Sequence, residues 1–157
     1  MKIYLEILLI TIAVVILMYL VVHFSATVFS PTSPASFGSV CFGEKCFQVE
    51  SAKTQAQIEK GLMNRNELGK DNGMLFVFSK EGIYPFWMKS TLIPLDMIWI
   101  NGDSKVVFIG QNVQPCKSLI CPSVVPTVTA KYVLEVNAGL CQQMGLKVGD
   151  ELKIENN

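Results

Sequence analysis

The chain has 157 residues, formal net charge zero and an apolar half, with its lysines scattered between acids rather than clustered. The absence of a basic stripe excludes nucleic acid as a partner class. The single histidine, His23, sits in the apolar N-terminal segment, so the rest of the chain carries none. That excludes Ser-His-Asp and Cys-His catalysis in their usual forms, HExxH metallohydrolysis and imidazole-dominated metal centres.

From Ile3 to Phe24 the sequence is apolar except for Glu6, Thr11 and His23. At about 1.5 Å per residue, residues 3–22 span roughly 30 Å as a helix, one hydrocarbon thickness. Lys2 and the amino terminus are the only nearby positive charges, so residues 3–24 are expected to lie in the bilayer with the N-terminus cytoplasmic and the remainder outside. Two readings stay open: an uncleaved single-pass anchor, which the length of the apolar run favours, and a cleaved signal peptide, for which the small-residue sites are poor. The expected organisation is an anchor over 1–24, a Ser/Thr/Pro linker over 25–36 and an extracytoplasmic β domain over 37–157. The domain, about 120 residues, is enough for one compact unit and hardly two.

Val40 to Val49 reads as a hairpin turning at Gly43-Glu44, the Gly-X form suited to a type II′ turn. That register faces Cys41 with Cys46 as a non-hydrogen-bonded pair about 4.5 Å apart, within disulfide range. It also places Val40, Phe42, Phe47 and Val49 on one face. Thr54 with Gln57 is a capping-box pattern, opening a helix from Gln55 to about Leu62 with Ile58 and Leu62 inward. Strands follow over 74–78, 84–91, 95–100 and 105–109, the last two joined across Asn101-Gly102. Residues 79–82 read as a turn and 111–129 as a long loop. Then come a strand over 131–137, a short helix over 139–144 and a last strand over 152–154. Many short strands with two brief helices predict a mainly β domain, sandwich-like or barrel-like.

All five cysteines follow the apolar segment. Outside the cytoplasm an even subset should pair, and Cys116 with Cys121 would staple the long loop as Cys41 with Cys46 staples the hairpin. A zinc site from the two C-x4-C pairs is the competing reading, and oxidation of exported dithiols disfavours it. Cys141 is left over, more naturally a small buried hydrophobe than a nucleophile. No metal site and no cofactor are expected.

Gly61-Leu62-Met63-Asn64-Arg65, Gly73-Met74-Leu75-Phe76-Val77-Phe78, the run Phe86 to Asp96 (FWMKSTLIPLD), Pro115-Cys116 with Cys121-Pro122, Tyr132 to Gly139 and Gly145 to Asp150 occur in an order that resembles the prokaryotic family called domain of unknown function 192. The likeness covers about Val49 to Ile154. It implies a mainly β, sandwich-like fold and no activity. Ser90 stands where asparagine is common in the family, so no role for that amide carries over.

The residues leave one polar set on or beside strands. Alternation puts Trp87, Lys89 and Thr91 on one face, and Val133, Glu135 and Asn137 on another. If these converge with Asp96 and Arg65, they form a mixed-charge cleft with an aromatic floor. A structural ion-pair network is the plainer explanation of the same charges. The leading functional expectation is a non-catalytic binding module for a small polar ligand, saccharide or envelope component, held by Arg65, Trp87, Lys89, Thr91, Asp96, Glu135 and Asn137. One alternative is a histidine-free hydrolase of glycosidase type with Asp96 and Glu135 as paired carboxylates. Another is a soft-metal site using Met63, Met74, Met88 and Met97, which competes with methionine's usual role as apolar filler. The sequence names no protein partner.

Overall fold

In the computed structural model, residues 2–28 and 36–155 are described. Two units are compact in themselves, residues 1–34 and residues 35–157. The first holds α1 (Lys2–Val28), whose stretch Lys2–Leu20 has mean hydropathy 2.6 and is exposed throughout. It is long and apolar enough to cross a membrane, as an anchor or a signal sequence would be. The helix runs through Val28, four residues into the expected linker, and the rest of that linker lies outside the described residues.

The second unit is the β domain. Its strands are β1 (Ser36–Phe42), β2 (Lys45–Ala52), β3 (Asn72–Gly82), β4 (Phe86–Trp87), β5 (Leu95–Ile100), β6 (Val106–Val113), β7 (Ser123–Val124), β8 (Ala130–Asn137) and β9 (Lys153–Glu155). Two short helices, α2 (Gln55–Lys60) and α3 (Leu140–Met144), interrupt them. Seven strands form one sheet in the order β6-β5-β8-β3-β2-β1-β9, and β4 pairs with β7 apart from it. The large sheet curls until its ends meet. Lys105 and Glu151 form a bridge, and Val106 N–H donates to the Asp150 carbonyl at 2.8 Å. The mainly β, barrel-like expectation holds.

Local chemistry explains the elements that were expected. In the β1–β2 hairpin Cys41 is the register partner of Cys46, and the two are joined as a disulfide with Cα atoms 4.0 Å apart. Gly43 supplies the positive φ of the turn. Both bonds of the capping box between Thr54 and Gln57 form at the start of α2. The helix stops at Lys60 because Gly61 turns to φ 45°. A Cβ at Gly61 would lie 3.3 Å from the Phe76 ring, so the chain also passes close to the sheet here. The second disulfide joins Cys116 to Cys121, and Cys141 stays a buried free thiol.

Curling gives the sheet two apolar faces. Inside lie Val40, Phe47, Val49, Leu75, Ile98, Ile100, Leu134 and Val136, closed off by Leu140 and Cys141 of α3. Outside lie Ala52, Met74, Phe76, Met97, Trp99 and Val133, covered by Leu62 and Met88. This is why Leu95–Ile100 is buried at every position. Alternate residues of β5 and β8 serve opposite cores. Trp99 anchors the outer core: its indole N–H donates to the Tyr84 carbonyl at 2.9 Å, and its ring meets Phe86 and Phe108 edge-on.

Three segments depart from the sequence reading, the first being the expected 111–129 loop, into which β6 runs as far as Val113 and in which Ser123–Val124 pair as β7. β3 runs on to Gly82 where a turn was expected, with a register shift against β8 between Val77 and Gly82. Residues 84–91 are not one strand, since Phe86 and Trp87 pair with β7 and Lys89 makes only an isolated bridge to Cys116. Pro85 has no N–H to offer a ladder, and Ser90 adopts φ 54°, the left-handed region that non-glycine residues disfavour. Thr91 N–H then closes a turn onto the Met88 carbonyl at 3.2 Å. Asparagine tolerates this conformation better than serine. Ser90→Asn is therefore expected to stabilise the domain by about 0.5–1 kcal/mol, read as a rise of a few degrees in the thermal midpoint. A fall would mean that the serine side chain is needed at that turn.

Candidate functional site

The outer face of the sheet sets the geometry. Glu50 on β2 is the register partner of Met74 on β3, Met74 of Glu135 on β8, and Glu135 of Met97 on β5. One row across four strands therefore carries two carboxylates separated by a methionine. The parallel β2–α2–β3 crossover lays α2 and the turn after it over this row. The result is a cleft of about 30 Å³, walled by Ile58, Leu62, Met63, Phe76, Phe86 and Trp87, with Thr91 and Glu135 as its buried polar groups.

The two carboxylates of the row have opposite circumstances. Glu50 is gripped by both terminal guanidinium nitrogens of Arg65, each 2.5 Å from a carboxylate oxygen. The hydrogen bonds from Arg65 hold its carboxyl below the usual range, and the same contacts raise Arg65. Glu135 is 4% exposed and has no hydrogen bond or ion pair among the described residues. Burial alone pushes its carboxyl up to about 8. The Thr91 hydroxyl, also buried, likewise has no side-chain partner among them. Trp87 closes the rim, 47% exposed, with the Lys89 ammonium 5.2 Å above its ring.

Of the seven expected site residues, the fold thus brings Trp87, Thr91 and Glu135 to one cleft and seats Lys89 on its outer edge. Arg65 belongs to Glu50. Asn137 donates to the carbonyls of Leu68 and Gly69 at 3.0 and 3.1 Å, tying a loop to the end of β8. Asp96 pairs in register with Val136 and so points to the inner core. Its Oδ1 accepts the Asn112 N–H at 2.7 Å and its Oδ2 the Cys141 N–H at 2.8 Å. Asp96 and Glu135 therefore project to opposite faces of the sheet and are not a catalytic carboxylate pair. Met74, Met88 and Met97 are buried in the outer apolar cluster. Sequence reasoning missed Glu50, whose pairing depends on the parallel β2–β3 register, and the wall from α2. The Gly61 turn was the visible signal for that wall.

A curled β domain with a small, partly polar cleft on its outer face is the class that these observations define. The chain belongs to the DUF192 family, described as an uncharacterized ACR, which it matches over residues 39–154. Among solved structures it is similar to a protein of unknown function from Novosphingobium aromaticivorans. The two share 34% identity and a TM-score of 0.70, over 79% of this chain and 89% of that one. It is also similar to a "putative transcription regulator" from Sinorhizobium meliloti, at 31% identity and a TM-score of 0.69, over 80% of this chain and 98% of that one. No curated protein matches.

Proposed function

We propose that this protein is a membrane-anchored, outward-facing binding module that seats the tip of a small polar ligand in the Glu135 cleft. The observation that carries the reading is a carboxyl 4% exposed, without a partner among the described residues, lining a cleft beside an equally unpartnered threonine hydroxyl. No fully buried side-chain polar atom among the described residues lacks a partner, so these two groups reach the cleft, where an occupant can meet them. The aromatic rim of Trp87 supplies the apolar contact that small-ligand sites combine with a few fixed polar groups. Asp96 lies on the other face with both oxygens engaged, so the paired-carboxylate hydrolase loses its second acid.

The chain's two tryptophans offer a direct test, because Trp99 is fully buried and Trp87 is half exposed. Iodide should quench Trp87 selectively. A panel of saccharides, amino acids and amines is expected to contain a compound that protects Trp87 from quenching and raises the thermal midpoint. Both effects should disappear in Thr91→Val and Glu135→Gln. A ligand whose effects survive both substitutions binds elsewhere and refutes the cleft.

A further inference from the structure

We infer that the ligand tip taken by the cleft is a primary ammonium group at the end of an unbranched carbon chain. The inference rests on the cleft being a binding site and adds what that site selects.

Size is the first argument. A cavity of about 30 Å³ holds a single water-sized group. An ammonium fits that description, whereas a guanidinium, a trimethylammonium, a phosphate or a sugar ring does not. Chemistry is the second. The polar groups buried at the cleft, the Glu135 carboxyl and the Thr91 hydroxyl, both offer acceptors to a three-donor cation. The cations that could have neutralised Glu135 are committed or remote. Arg65 is paired with Glu50, two strands away on β2, and Lys89 stands over the outer Trp87 ring. On α2, Glu59 and Lys60 line the mouth with opposite charges, and Lys60 forms no ion pair with Glu135. The third argument is the wall. Phe76, Phe86 and Trp87 offer ring surface to a cation and to the methylenes behind it.

Binding has a proton balance. The carboxyl of Glu135 meets R–NH3+, its O–H bond breaks, and the proton leaves to solvent as the carboxylate–ammonium pair forms. A carboxyl pushed up to about 8 is mostly protonated at neutral pH, so just under one proton per amine should be released at pH 7.

Calorimetric titration of the full chain in detergent micelles, with blank micelles subtracted, tests this. The probes are n-butylammonium, n-butanol and butyrate, in buffers of differing ionisation enthalpy. Saturable binding of n-butylammonium alone is expected, with proton release at pH 7 and at least tenfold weaker binding in Glu135→Gln. That variant carries the neutral isostere of the protonated acid, and its retained thermal midpoint will show that it folds. The arms 1,5-diaminopentane and N-acetyl-lysine methylamide separate a free amine from a lysine side chain on a protein, and a clear preference for either supports the ammonium and names its source. If n-butanol binds as well as the amine and Glu135→Gln abolishes both, the cleft stands and the ammonium assignment falls. If Glu135→Gln changes nothing, or no probe binds, the inference is overturned.

Discussion

Raising the pH from 5 to 8 is expected to cost the folded domain about 3 kcal/mol, and Glu135→Gln is expected to remove most of that loss. In the unfolded chain a glutamate titrates near 4.5, whereas in the fold burial pushes Glu135 up to about 8. Between those values the folded state binds the proton that the unfolded state has released, so stability falls as pH rises. The contribution is complete below the lower value and is lost as the pH passes the upper one. At roughly 1.4 kcal/mol per pH unit, most of three units lie inside this range. Glu50 acts in the opposite direction. Arg65 lowers its carboxyl, so its contribution is lost only as the pH falls into the acid range. The two together put the stability maximum on the acid side of neutral. Urea midpoints of the 35–157 unit at pH 5, 6, 7 and 8 would show the slope, and Glu135→Gln should flatten it. A slope unchanged in the variant would mean that another group carries it and that Glu135 ionises freely in the fold. Saturating n-butylammonium should also flatten the slope in the unsubstituted protein, because it supplies the missing countercharge. Stability and binding therefore report on the same proton.

What could be read from the sequence was what neighbouring residues decide among themselves. Cys41 and Cys46 are placed by a two-residue turn, and Thr54 and Gln57 cap a helix three residues apart. The parity of β8, with Glu135 opposed to Leu134 and Val136, also held, because alternation follows from the pleat. What failed was parity between strands. Asp96 and Glu135 could be assigned to the same or opposite faces only with the β5–β8 register, and Asp96 pairs with Val136 rather than with Glu135. Arg65 was expected beside Glu135 but goes to Glu50, which is reached through a parallel pairing that nothing local encodes. The stretch 84–91 looked like a strand because it is rich in bulky aromatics. Pro85 and the left-handed Ser90 break that strand, and the same break folds Thr91 into the cleft.

Asp96→Ala is expected to be the most destabilising single substitution among the seven polar residues, at about 3–5 kcal/mol. The reason is the helix that the carboxylate serves. α3 begins after Gly139, which has no side chain to cap it, and its early N–H groups need acceptors. Asp96 reaches across from β5 and supplies one: Oδ2 takes the N–H of Cys141, while Oδ1 holds Asn112 at the end of strand β6. It is a remote N-cap, and a negative charge at a helix N-terminus is favourable in itself. Burial first and this carboxylate second push the Cys141 thiol far above its ordinary range, so it stays a protonated packing group. Alanine would leave the buried Cys141 N–H and the part-buried Asn112 N–H without their acceptor. Asparagine would keep one acceptor and aim an amide N–H at the other donor, for a loss of about 2–3 kcal/mol. The contrast with Glu135 is the decisive measurement, since the two acids sit one register position apart on adjacent strands. At pH 8, Glu135→Gln should raise the urea midpoint and Asp96→Asn should lower it. A carboxylate that serves the fold loses stability when neutralised. One held without a partner gains it, and that separates the residue the scaffold requires from the residue kept for something that binds.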